Sequence, residues 1–213
     1  MSAPAPPRRN RVTPAGEIVA TPERGLLMGN RGILHDRDGR VVRRWASPAW
    51  IACLSEFRGR RRALMTPGRY TELFFLDEAT ALAAGHRPCF ECRRDDARRF
   101  RAALAEGLGL AREPSAGEVD RLLDAQRLVG PRGRRVKRTW PAPAAGLADG
   151  VMAAAGGQAH LVLGGRLLAW GHGGYGRPRP LPAGARIEVL TPPAVAAALA
   201  AGYRPLLHPS AGA

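Results

Sequence analysis

The chain has one lysine, Lys137, three cysteines, and no apolar run long enough to cross a bilayer as a helix. Its Pro-rich and then basic first ten residues lack the apolar segment of a secretory signal, so a cytoplasmic protein is expected. Three cysteines do not make a disulfide framework. Two of them, Cys89 and Cys92, stand as C-x-x-C, which in a reducing compartment points to metal or redox chemistry. P-loop, dinucleotide, H-E-x-x-H and nucleophile-elbow motifs are all missing, so no familiar enzyme class is indicated by motif. Acidic residues are also scarce, at 18 against 33 basic ones, for a net charge of +15. A coding bias explains arginine in place of lysine but not this excess of positive charge, which favours polyanionic partners.

Of the 213 residues, 45% are hydrophobic, enough for one ordinary domain or two small lobes. Residues 1–20 read as a mobile tail. A first lobe is expected over 21–110, a helix and basic loop over 111–138, and a β-hairpin-rich lobe with a C-terminal helix over 139–213. Asp38-Gly39 is a turn signal between Gly32–Leu34 and Val41-Val42, and Trp50–Cys53 reads as a strand. Asp77 can cap a helix over Glu78–Ala84 that Gly85 ends, and Pro88 keeps Arg87 extended. Asp95 can cap a second helix that Gly107 stops, and Ser115 with Glu118 has capping-box spacing. Leu161–Leu163 and Arg166–Trp170 flank a Gly-Gly turn, and Ile187–Leu190 reads as one more strand. Thr191 and Pro192 then open a last helix that Gly202 closes. The fold class expected is α+β, with a small metal-stapled lobe of short strands and helices before a β-rich one.

Two thiolates separated by two residues can grip one tetrahedral ion from a tight knuckle, and a following helix N-terminus further favours thiolate. A redox pair normally follows a strand in a βαβ unit, whereas this pair follows a helix, Gly85 and Pro88, so Zn2+ is the favoured reading. Cys53 is the natural third ligand, although a cysteine there can equally be a small buried side chain. His35 is the candidate fourth, with Asp36 beside it as a substitute or an outer partner. His86 is expected to point away from the pair, and His160, His172 and His208 fall in the second lobe.

The ordered stretch Glu72–Arg93, with aromatic residues, a short Ala-rich helix opened by acids, and then Gly-His-Arg-Pro-Cys-Phe-Glu-Cys-Arg, resembles the end of the metal-binding domain of the Ada DNA-repair methyltransferase family. The resemblance covers about a tenth of the chain and implies zinc and contact with DNA. That family carries two neighbouring upstream cysteines, one a methyl acceptor. Here Cys53 stands alone upstream, so a four-cysteine site within one chain is excluded and a methyl-acceptor role for Cys53 is in doubt.

Three arginine clusters could hold phosphates: Arg60, Arg61 and Arg62; Arg93 and Arg94; and Arg134, Arg135, Lys137 and Arg138, the last within an acid-free run from Arg127. Each could also be a solvated charged face. Trp170, His172 and Tyr175, set among glycines, suit either a ligand pocket or a hairpin end whose aromatics pack into the core. Together these features predict a zinc-stabilised nucleic-acid-binding protein, DNA-directed in repair or regulation. The alternatives are an enzyme that acts on nucleic acid or transfers a methyl group to Cys53, and a metal-stapled module that meets an acidic protein.

Overall fold

The computed structural model describes residues 6–59, 63–131, 134–182 and 184–212. In chain order its elements are β1 (Arg9–Val12), β2 (Ile18–Ala20), β3 (Leu27–Asn30), β4 (Ile51–Leu54), β5 (Leu73–Phe75), α1 (Glu78–Ala83), β6 (Arg87–Pro88), α2 (Arg94–Gly107) and α3 (Ala116–Arg127). They continue with β7 (Leu128–Val129), β8 (Val136–Lys137), β9 (Trp140–Pro143), β10 (Met152–Ala155), β11 (Gln158–Leu163), β12 (Arg166–Gly171), β13 (Gly174–Pro180), β14 (Arg186–Val189) and α4 (Pro193–Ala200). The fold is α+β: a region of short strands and helices that carries the cysteines precedes a larger β-rich region with a C-terminal helix.

The first sheet runs β2-β1-β5-β3-β4-β6 and the second β13-β12-β11-β10-β14-β9, with β7 and β8 as a separate ribbon. In the first sheet, alternation sends Leu27, Ala52, Leu73 and Phe75 into a core with Val12, Ile18 and Leu34. The opposite face carries the cross-strand row Cys53, Met28 and Phe74, since Met28 pairs with both of the others. Residues 9–20, read above as part of a tail, instead form the β1–β2 hairpin, because Val12 and Ile18 are needed to complete that core.

Helix α1 is the shared wall between the sheets. All six of its residues are buried. Ala81 and Ala84 touch the first core, Ala79 and Ala83 pack with Met152, Leu161 and Leu168 of the second sheet, and Leu82 joins the cluster under α2, α3 and α4. Small side chains at these positions allow both sheets to approach. Asp77 caps the helix by accepting from the Thr80 N–H at 2.9 Å, and Gly85 follows at φ +94°, a conformation that glycine adopts without strain. The capping box of Ser115 and Glu118 and the Gly164-Gly165 hairpin turn also form as expected.

The N-caps of two helices differ from the sequence reading. Arg93, not Asp95, occupies the N-cap of α2, because its N–H closes a turn on the Cys89 carbonyl that runs straight into the helix. Gly107 is the last residue of α2, as read, and a Cβ there would meet the Ala197 carbonyl oxygen at 2.4 Å, so it also serves the close approach of α4. Thr191 does not cap α4: its hydroxyl accepts from the Met152 N–H at 2.8 Å, and Pro192 takes the N-cap position.

Candidate metal centre

The parallel pairing of β4 with β6 aligns Ile51 with Arg87 and Ala52 with Pro88. The Cys89 N–H continues that ladder to the Ala52 carbonyl at 2.9 Å, which sets Cys89 beside Cys53. Pro88 enforces the extended entry, and the chain then turns through Phe90 and Glu91 to bring Cys92 back. The Sγ atoms of Cys53, Cys89 and Cys92 all lie within 4.8 Å of one another, a group that could hold a metal ion. A tetrahedral zinc with ~2.3 Å bonds would set its sulfurs ~3.8 Å apart.

Backbone donors already favour negative sulfur. The Glu91 N–H points to Cys89 Sγ and the Leu54 N–H to Cys92 Sγ, each at 3.4 Å. Hydrogen bonding of the Cys53 thiol to Cys89 and then to Cys92, followed by burial, keeps the proton on Cys53 and raises its pKa. That same bond, joined by the backbone N–H groups, lowers Cys89 to about 5 against the opposing effect of burial. Cys92 is lowered too, first by Cys53. A thiol proton shared toward two sulfurs drawn to the thiolate form makes a donor set suited to a soft or borderline cation, which displaces that proton.

His35 does not join this group. The Thr66 carbonyl can only accept, so His35 Nε2–H donates to it at 3.3 Å and the bare Nδ1 of the neutral ring accepts from the Thr71 hydroxyl at 2.6 Å, while Thr71 Oγ1 accepts from the Leu34 N–H at 2.8 Å. Both ring nitrogens are engaged in holding a loop, and the ligand role read for His35 is replaced by a structural one. Asp36 closes the neighbouring turn by accepting from the Asp38 and Arg40 N–H groups. His86 is fully buried between Phe75 and Trp50, as its expected direction away from the pair requires. Among the described residues no fourth His, Cys, Asp or Glu stands with the three cysteines.

The cysteines line a cavity of about 800 Å³ together with Met28, Phe57, Leu64, Tyr70, Glu72 and Phe74. Sequence reasoning missed this cavity because it depends on strand register, which puts Met28 and Phe74 in the row of Cys53. Period-2 alternation hinted at the face but not at its neighbours.

The basic residues divide into two sets. Arg94, Arg134 and Arg138 are exposed. Arg93 is not: its side chain is 2% exposed and bonds Glu78 at 2.7 Å and Asp96 at 2.8 Å. Arg135 bonds Asp124 Oδ2 at 3.3 Å and its carbonyl at 2.9 Å, and the Lys137 ammonium donates to the Ala83 carbonyl. These three face inward because carboxylates and carbonyls there accept from them, which removes them from a phosphate-binding surface. Arg60, Arg61 and Arg62 lie outside the described residues, as do Arg132 and Gly133.

Trp170 and Tyr175 are directed at α1. The Tyr175 hydroxyl donates to Asp77 at 2.7 Å and the Trp170 indole N–H to Thr80 at 3.0 Å. Beside them, Glu78 accepts from the Tyr203 hydroxyl at 2.7 Å, the Leu206 N–H at 2.8 Å and Arg93 at 2.7 Å. The acidic pair opening α1 thereby ties the knuckle residue after Cys92 to the second sheet and the C-terminal segment. No described helix is long and apolar enough to cross a membrane. No family model, curated protein or solved structure matches the chain, so the group of three cysteines stands as a general metal-binding arrangement rather than the mark of one family.

Proposed function

We propose that Cys53, Cys89 and Cys92 bind one zinc ion whose fourth position faces the cavity, in a protein that engages nucleic acid through its exposed arginines. The observation that carries the zinc reading is the convergence of three sulfurs, two of them lowered toward thiolate, on one cavity wall. Zinc there supplies a fold-stabilising tie and a Lewis-acidic position for water or a small ligand. Nucleic acid is supported by the net charge of +15 and by Arg94, Arg134 and Arg138, which are exposed and form no ion pair with another described residue. DNA is the polymer implied by the Glu72–Arg93 resemblance. A second reading, chemistry on a small substrate, is favoured by the size of the cavity at the centre.

Native mass spectrometry of the purified chain is expected to give one zinc per chain, lost in Cys89→Ser and Cys92→Ser. A fully folded wild-type chain that takes up no zinc at neutral pH would remove the metal reading. For the partner, log affinity for duplex DNA should fall linearly with log salt, and Arg94→Gln/Arg134→Gln/Arg138→Gln should flatten the slope by roughly 0.9 for each phosphate no longer neutralised. Equal slopes, or no binding to DNA or RNA at low salt, reject that part while leaving the metal part standing.

A further inference from the structure

The number of sulfurs and the wall they face restrict which ions suit the centre. Cys53, Cys89 and Cys92 hold their Sγ atoms within 4.8 Å of one another, and among the described residues no fourth His, Cys, Asp or Glu joins them. The cavity beside them is apolar where Met28, Leu54 and Phe74 line it. Strand register accounts for this wall: Cys53 pairs with Met28 and Met28 with Phe74, so a thioether and a ring stand in the row that begins at a sulfur. The ionisable groups on the same lining, apart from the cysteines and Tyr70, are the acids Glu72 and Glu91. No arginine or lysine is among the described residues that line it.

Net charge then separates the ions that thiolates hold. A divalent ion on three thiolates leaves one negative charge and a monovalent ion leaves two, which the Glu91 and Leu54 N–H groups offset only in part. A trivalent ion gives a neutral complex, the form that an apolar wall accepts most readily. Trivalent arsenic is soft, prefers thiolate, and stops at three ligands in a pyramid whose remaining corner is a lone pair. That corner needs room rather than a donor, and the cavity of about 800 Å³ provides it. We propose that Cys53, Cys89 and Cys92 together bind one arsenic(III) centre, taken up as arsenous acid. Each As–O bond is exchanged for an As–S bond, and each hydroxide leaves with a thiol proton as water. Arsenic stays trivalent throughout, so no oxidant or reductant takes part. The same three sulfurs serve the zinc reading, but arsenic uptake does not depend on zinc being the resident ion. Where zinc is bound, arsenic displaces it.

The test is arsenic uptake by the reduced full-length protein in buffer free of other thiols. With sodium arsenite, native mass spectrometry should show one arsenic gained and three hydrogens lost per chain, and any bound zinc released one for one. X-ray absorption at the arsenic edge of the unmodified protein should show three sulfur neighbours and no oxygen, which requires no variant. Cys53→Ser, Cys89→Ser and Cys92→Ser should each keep at most two As–S bonds and lose the arsenic on dialysis. Arsenic held by three sulfurs in a chain that takes up no zinc would support the proposal while removing the zinc reading. No arsenic uptake, with zinc bound or without it, would overturn the proposal. So would two sulfurs with one oxygen around arsenic, or arsenic held through dialysis by a folded Cys53→Ser.

Discussion

Glu78→Gln isolates the charge at the junction of the two sheets. Glu78 is 1% exposed, and every group bonded to it is a donor: Tyr203, Arg93 and the Leu206 N–H. A glutamine can keep its oxygen toward Arg93 and Leu206 and turn its amide N–H toward Tyr203, whose hydroxyl rotates to accept. Shape and hydrogen-bond number therefore survive, and only the negative charge is removed. Burial works to lower the Arg93 pKa, but the bond to Glu78 and its charge outweigh burial and the net shift is upward. In Glu78→Gln, the one carboxylate left to Arg93 among the described residues is Asp96, which is 28% exposed and already shared with Arg99. Removing one partner of a buried pair costs about 3–5 kcal/mol, and the surviving Asp96 brings the expected loss to about 2–3 kcal/mol. Tyr203→Phe, which removes one neutral donor, should cost about 1 kcal/mol. Urea unfolding with the slope held constant reads both values. A loss below ~1 kcal/mol for Glu78→Gln, or one equal to that of Tyr203→Phe, would show that the charge of Glu78 does not hold Arg93 and would refute the reasoning.

Gly85→Ala should destabilise by more than the roughly 1–2 kcal/mol of a left-handed alanine, because its Cβ would also meet Arg127 Cδ at 2.7 Å. Gly117→Ala in α3 is the control: its Cβ meets only Arg121 Nη1 at 3.6 Å, and about 0.5–1 kcal/mol of gain is expected by chemical denaturation. Lys137 sets a pH dependence of stability. Its folded value of about 7 lies below the ordinary 10.5, so between them the unfolded chain holds the extra proton and stability rises with pH. From pH 7.5 to 9 the rise is up to about 2 kcal/mol, and it should be missing from Lys137→Met. Parallel pH profiles for the two proteins would contradict the enclosed ammonium.

What the sequence disclosed was local chemistry. Asp77, Ser115 with Glu118, Gly85 and the Gly164-Gly165 turn each satisfy a backbone requirement within a few residues, and each forms as read. Cys89 and Cys92 announce themselves by spacing. Cys53 belongs with them through a parallel ladder between strands far apart in sequence, so its proximity was a guess from residue type that the register supports. His35 misled because a lone histidine near a metal motif is chemically eligible, and nothing local reveals that Thr71 and Thr66 already engage both nitrogens. Three members of the basic clusters misled in the same way. Composition counts Arg93, Arg135 and Lys137 with the surface, whereas Glu78, Asp124 and the Ala83 carbonyl draw them inward.

The position of α1 also governs how the chain can reach its native state. A six-residue helix is far below the length at which helices persist in water. Asp77 and Glu78 take donors from Tyr175, Tyr203, Leu206 and His208, between 98 and 131 residues downstream. On a ribosome, the segment that delivers Cys89 and Cys92 must therefore wait for the distal strands and the turn beyond α4 before its carboxylates are satisfied. A nascent chain halted before Tyr203 would hold every strand of the second sheet yet lack the Tyr203, Leu206 and His208 donors, so Asp77 and Glu78 would keep only Thr80, Tyr175 and Arg93 among the described partners.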